Sequence, residues 1–331
     1  MIKKIGRDKR EQKNKLKLID STYREGLQGF YYRDHLLKKF NNYLEKSYKL
    51  GIRSFEFSGF LSDRKHLFEI SKYKNLEAFF HFMLNDSNMK YLKKTNIKNI
   101  STVVKLNNFK QKKEYLNELN ERHKTKIRLG IEDSFDISET SLKNILKEIS
   151  CYKSIVRISF SDTKGSCNPK KLEHFLKRFL PFLDNSLEVE FHFHNDQGLA
   201  AANFYKLCEL SRKLKNRKIC VSATLCGIGE RNGILSLGDY FSINYSFCFI
   251  RYNDNIFKIK YYAALFKEIF NENKYYRDPL SPNSFFHVAT SHLERIKNGE
   301  SCSVNSPEVF GYTNILKVKN KKPVLKSYYL K

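Results

Sequence analysis

Short apolar runs of strand length alternate with longer stretches of helical spacing along this chain, and that rhythm restricts the fold more than any other feature. The runs cover 16–20, 54–58, 78–83, 100–104, 126–131, 156–160, 189–193 and 218–223. Between them lie segments such as 35–50, 142–151, 170–182 and 199–214, whose apolar residues return every three to four positions. Parallel strands need crossovers long enough to hold a helix, so this alternation implies a parallel sheet. Eight strand units with seven linking helices and an eighth helix after Ile234 fit a closed (β/α)8 TIM barrel better than an open doubly wound sheet. No GxGxxG follows the first run, which weakens the dinucleotide-binding alternative.

The rhythm also sets the expected domains. Residues 1–15 are charged throughout and read as a basic, solvated N-terminal arm, with no apolar stretch of signal-peptide type. Residues 16–248 form the barrel, and the Tyr- and Lys-rich remainder, 249–331, reads as a small helical or lid-like C-terminal subdomain. With 331 residues, 41% of them hydrophobic, the chain can bury a full core.

The net charge of +26 is spread along the length. It suits anionic small molecules, and no Cys/His finger or basic zipper points to a specific nucleic-acid partner. Seven cysteines, irregularly spaced and without a CxxC, argue for a reducing compartment. The most apolar late window, 241–250, is about half a membrane span. A soluble cytoplasmic protein is expected.

Barrels of this kind carry their chemistry where the strands end, on the loops that follow. Polar groups collect there. The first run leads into Arg24 and Glu25, the second ends at Glu56, the third reaches His81, and Arg128 and Glu132 bracket the fifth. The sixth runs into Asp162 and Thr163, the seventh holds His192 and His194, and the eighth opens into CGIGERNG. In EFHFHND the two histidines are two positions apart, so on a strand they share a face and can meet one ion. Two imidazoles and a carboxylate, for which Glu25 is the candidate, make a facial set that leaves positions open for substrate oxygens.

LIDSTYREGLQ, EDSF at 132–135, SDTKG at 161–165, HFHNDQGLAAAN at 192–203 and GIGERNG at 227–233 together resemble a known family. It is the metal-dependent Claisen-condensing barrel enzymes: homocitrate, isopropylmalate and citramalate synthases and 3-hydroxy-3-methylglutaryl-CoA lyase. The resemblance spans roughly 16–240 and is strongest to the homocitrate synthases.

The resemblance implies an acyltransferase that condenses acetyl-CoA with a 2-oxo acid, 2-oxoglutarate first among the candidates. Pyruvate, 2-oxoisovalerate or oxaloacetate, or a silent homologue, are the alternatives. It implies Glu25, His192 and His194 as ligands of a divalent metal (Zn, Mg, Mn, Fe or Co), Arg24 as the partner of the developing enolate oxygen, and Gln28 and Thr163 near substrate. His81 and Arg128 would engage the distal carboxylate of 2-oxoglutarate. Glu132 with His292 would move the proton, although Thr290 stands where the family usually has glycine. A homodimer is expected, with the C-terminal region over the partner's barrel mouth.

Overall fold

The computed structural model describes residues 16–28, 34–63, 70–214 and 217–247. The N-terminal arm, the C-terminal subdomain and His292 therefore lie outside the described residues. Eight parallel strands close in sequence order, with β8 pairing back to β1. They are β1 Lys17–Asp20, β2 Ser54–Ser58, β3 Glu77–His81, β4 Asn99–Val104, β5 Lys126–Ile131, β6 Ile155–Asp162, β7 Glu188–Phe193 and β8 Ile219–Ala223. The expected (β/α)8 barrel is the fold, and most strand bounds shift by one or two residues.

Among the described residues seven α-helices accompany the strands: α1 Asp34–Lys49, α2 Asp86–Lys93, α3 Phe109–Glu121, α4 Glu139–Ile149, α5 Pro169–Phe179, α6 Ala200–Ser211 and α7 Leu237–Ser246. One expectation differs. Between β2 and β3 the described residues form only 3-10 turns, Gly59–Asp63 and Ile70–Lys72.

The helices start where side chains satisfy their first N–H groups. Asn168 accepts from Lys171 N ahead of Pro169 in α5, and Ser138 does the same for Ser141 N ahead of α4. Both then bury one face at positions i, i+3, i+4 and i+7: Leu142, Ile145, Leu146 and Ile149 in α4, Leu172, Phe175, Leu176 and Phe179 in α5. Each such side chain contributes about 1.5–3 kcal/mol on burial.

Strand alternation divides the protein into two chemically unlike spaces. On β7, Val189, Phe191 and Phe193 face outward and are buried. The layer continues through Phe191–Phe160 and Phe160–Phe175 ring contacts into α5. The alternate residues, Glu188, Glu190 and His192, face into the barrel.

That interior is ionic where barrels usually stack branched apolar side chains. Arg157 on β6 reaches Glu77 on β3 at 2.7 Å and Glu188 on β7, and Lys17 joins the same two carboxylates. One layer higher, Arg128 on β5 meets Glu56 on β2 and Glu190 on β7. Pairs between non-neighbouring strands can only meet across the barrel's centre. Glu56, expected at the rim, is thus an interior residue, 1% exposed.

Candidate active site and metal centre

The chain turns from β1 into the site through a single wide π-helical turn, Thr22–Gly26. The N–H groups of Arg24, Glu25 and Gly26 all converge on Ser21 O, at 3.0, 2.8 and 3.3 Å. Such turns recur at functional positions because they redirect a side chain that an α-turn would leave pointing elsewhere. Asp20 anchors the turn, accepting from Thr22 N at 3.0 Å and Tyr43 Oη at 2.5 Å. Of the charges in LIDSTYREG, then, Asp20 holds the backbone and Glu25 is aimed at the barrel mouth.

Glu25, His192 and His194 come together there, with one potential ligand atom from each lying within 4.8 Å of the others. All three are buried, and His192 Nε2 stands 3.7 Å from Glu25 Oε2. The donor set fits a divalent ion: one carboxylate and two imidazoles, from segments more than 160 residues apart in sequence by their numbering. Burial pulls the His192 pKa down despite the nearby Glu25 carboxylate, so the ring is neutral and its lone pair available. His192 Nδ1 and Arg24 Nε are both buried without a hydrogen-bond partner. A bound group at the site would give such atoms the partners they lack. Arg24 Nη1 donates to the Glu25 carboxylate.

The two most telling motifs bond to each other. Asn195 N donates to Gly233 O at 2.9 Å, Leu235 N to Phe193 O at 3.2 Å, and Asn232 Nδ2 to Asn195 O at 2.7 Å. The GIGERNG loop after β8 is thereby zipped along the end of β7. Arg231 locks it by donating to Asp196 at 2.8 and 3.1 Å and to Thr163 O at 2.7 Å. Gly229 passes close over the acid ligand. A Cβ there would lie 3.2 Å from Glu25 Cγ and Oε1, so any side chain would require Glu25 or the loop to give by a few tenths of an ångström.

A single cavity is lined by Arg24, Glu25, Gln28, His81, Arg128, Glu132, Thr163, His192 and His194. These are nine of the ten site residues expected from sequence, and the tenth, His292, lies outside the described residues. Met83, Val103 and Ser161 complete the lining. Glu132 has Lys105 Nζ 3.4 Å away, and Thr163 Oγ1 accepts from Asp133 N at 2.7 Å.

Arg128 differs from the sequence picture of a guanidinium fork open to substrate. Nε and Nη2 grip Glu190 at 3.0 and 2.5 Å, Nη2 also donates to Ser159 Oγ at 2.9 Å, and Nη1 reaches Ser101 Oγ at 3.3 Å and Glu56 Oε1 at 3.2 Å. Burial, the largest single influence, would raise the Glu56 and Glu190 carboxyls, but Arg128 acting with His81 and Arg24 on Glu56 and with Arg157 on Glu190 holds both low, Glu56 well below the usual range. Both are therefore charged. Sequence reasoning gave Glu190 no role, although its place two positions before His192 put it on the same inward face.

A closed parallel barrel with an acid–imidazole–imidazole cluster at its C-terminal rim defines the class: a (β/α)8 protein with a candidate metal site above an ionic core. The chain belongs to the HMGL-like family, whose model matches residues 77–244. The family resemblance seen in the motifs is thus borne out.

The chain is similar to the mitochondrial homocitrate synthase of Yarrowia lipolytica, 28% identical over 203 residues, which are 60% of this chain and 44% of that protein. It is also similar to homocitrate synthase of Pyrococcus abyssi, 30% identical over 193 residues, 57% of this chain and 50% of that one. The matches thus span half or less of both synthases. Among solved structures, HMG-CoA lyase of Bacillus subtilis superposes with a TM-score of 0.63 at 15% identity, covering 86% of this chain and 98% of that one, a likeness of fold. Among the described residues no helix is long and apolar enough to cross a membrane.

Proposed function

We infer that the protein is a metal-dependent acyltransferase that condenses acetyl-CoA with a 2-oxo acid, 2-oxoglutarate being the leading acid and homocitrate its product. The observation that carries this reading is the convergence of Glu25, His192 and His194 in the cavity that also holds Arg24 and Glu132. Similarity to proteins named homocitrate synthase supports the choice of acid.

A divalent ion held by Glu25 and the two histidines would supply Lewis acidity toward the oxo group of a bound 2-oxo acid. The remaining work falls to the chain itself. Arg24 stands beside the ligand set as a fixed positive partner for an oxygen that gains charge as the acetyl methyl group loses its proton, a role of the kind worth about 3–4 kcal/mol. Glu132, which lines the cavity, would take that proton, with His292 as its proposed relay. Gln28 and Thr163 line the space the acid would occupy. The C-terminal segment would close over the mouth, and a homodimer is proposed with it.

A second acid class is favoured by one observation: Met83 and Val103 give the cavity an apolar wall suited to an uncharged tail. The test is acetyl-CoA-dependent thiol release with 2-oxoglutarate, pyruvate, 2-oxoisovalerate and oxaloacetate. Release with 2-oxoglutarate foremost is expected. Release with no acid would overturn the enzymatic reading, and a preference for 2-oxoisovalerate would replace the acid.

A further inference from the structure

The hydrogen-bond accounting around His81 fixes which of its nitrogens carries the proton. Ser101 Oγ has one hydrogen, and it goes to Glu56 Oε1 at 2.6 Å. The same oxygen receives Arg128 Nη1 at 3.3 Å. Ser101 therefore has no second proton to offer, and at the 3.2 Å contact His81 Nδ1 must be the donor. Glu56 Oε1, 3.6 Å from Nδ1, demands the same polarity. A neutral imidazole protonated on Nδ1 keeps a bare lone pair on Nε2, and His81 lines the cavity.

A lone pair is the wrong group to meet a carboxylate. The wall beneath it gives no relief. Arg128 directs its three nitrogens at Glu190, Ser159, Ser101 and Glu56, and two glutamates against one guanidinium leave that cluster with one negative charge in excess. A substrate carboxylate would add a second.

The charged groups that act most strongly on His81 are Arg24 from the turn after β1, Glu56 from β2 and Arg128 from β5, and Glu25, Glu132 and His192 line the same cavity. Burial, together with Arg24 and Arg128, draws its pKa down to about 4 against the opposing pull of Glu56. The free site is thus neutral at His81 near pH 7.

Taking the proposed condensing reaction as its basis, we propose that a distal carboxylate enters this wall only together with a proton, which His81 Nε2 takes up from solvent. The imidazolium then donates from Nδ1 to Ser101 Oγ, with the Glu56 carboxylate 3.6 Å away as its charge partner, and from Nε2 to the substrate carboxylate. Specificity for a dicarboxylic 2-oxo acid becomes proton-linked, whereas a 2-oxo acid without a distal carboxylate needs no such proton. The linkage has a definite sign: binding raises the His81 pKa, so affinity is greatest at low pH and is lost as pH rises. Above the pKa His81 has in the complex, the dissociation constant of 2-oxoglutarate rises by up to about tenfold per pH unit.

The experiment is calorimetric titration of the full-length protein, loaded with Mn2+, with 2-oxoglutarate and with pyruvate at pH 7. Each is run in PIPES and in Tris, whose different ionisation enthalpies report the protons exchanged. Pyruvate cancels any proton released around the metal. The expected result is about one proton more taken up with 2-oxoglutarate than with pyruvate, and loss of that difference in His81→Gln, whose amide donates without titrating. Equal proton counts in the unmodified protein overturn the proposal without recourse to any variant, as does a difference that persists in His81→Gln. Binding of pyruvate without 2-oxoglutarate overturns it while leaving a condensing enzyme of another acid intact. Binding of neither acid removes the functional reading itself, and the proton linkage with it.

Discussion

Arg231, on the loop after β8, donates from Nε and Nη2 to both carboxylate oxygens of Asp196, two residues beyond His194 at the end of β7. Both side chains are almost wholly buried. The pair therefore binds the loop that covers Glu25 to the strand end that carries the histidines, and it supports the candidate metal site without being part of it.

Replacing Arg231 by Ala leaves Asp196 as a buried carboxylate without its partner, a change that costs about 3–5 kcal/mol. Urea unfolding of Arg231→Ala should show a loss of that order. Arg231→Ala combined with Asp196→Asn should recover part of the stability. Metal affinity, measured by competition with a chromophoric chelator, should still fall about 10–100-fold in the double variant, the usual effect of losing support behind the ligands.

A smaller change tests the loop's approach. Gly229→Ala places a methyl group 3.2 Å from Glu25 Cγ and Oε1. The acid ligand must then move by a few tenths of an ångström. We expect weaker metal uptake with near-normal urea stability, since no buried charge is exposed. A variant with unchanged metal affinity would show that the loop adjusts freely.

Arg128 is expected to dominate stability before it affects substrate. Arg128→Met removes the cation from between Glu56 and Glu190, and the two carboxylates then face each other at low dielectric. A loss of about 3–5 kcal/mol in urea is expected. Glu190→Gln in the same background should restore part of it. An Arg128→Met protein of normal stability would contradict the assigned ion network.

Stability should pass through a maximum on the acid side of neutrality. Burial raises Asp20 to about 6 and Asp162 to about 7, in each case outweighing the hydrogen bonds these carboxylates accept. With folded values above the unfolded value of about 3.9, their protonated forms favour folding at low pH, and that contribution is lost as pH rises through 6 and 7. Glu77 runs the other way. Arg157 and further partners override burial and lower it to about 2. Its contribution is present above about 4.3 and is lost as pH falls toward 2. Calorimetric melting from pH 3 to 8.5 should peak near pH 4, where the Glu77 contribution is nearly complete and the loss from Asp20 and Asp162 begins, and Asp162→Asn should flatten the alkaline limb.

The fold was legible because strand and helix periods differ and repeat. The 142–151 and 170–182 segments show their buried faces at i, i+3, i+4 and i+7, and 189–193 shows its outward apolar set by alternation. In the β2–β3 connection the described residues form 3-10 turns where a helix was expected, and a 3-10 turn leaves no periodic signature of its own. The site was legible for a similar reason: strand-end polar residues in a barrel have one rim to gather at.

The ionic core was not legible. Glu77, Arg157, Glu188 and Glu190 sit in strands that read as ordinary apolar alternation, and their partners come from strands across the barrel that no local pattern connects. The same gap explains Arg128. From sequence it is a cation near a cavity, whereas its state depends on Glu56 and Glu190, 72 and 62 positions away by their numbering.

The most direct test of the account is where a divalent ion binds. Crystals grown with Zn2+ and measured at its absorption edge should give an anomalous peak about 2.0–2.2 Å from a Glu25 carboxylate oxygen and from one nitrogen each of His192 and His194. The peak should vanish in His192→Ala. A zinc ion bound elsewhere, with these three side chains unligated, would contradict the central claim.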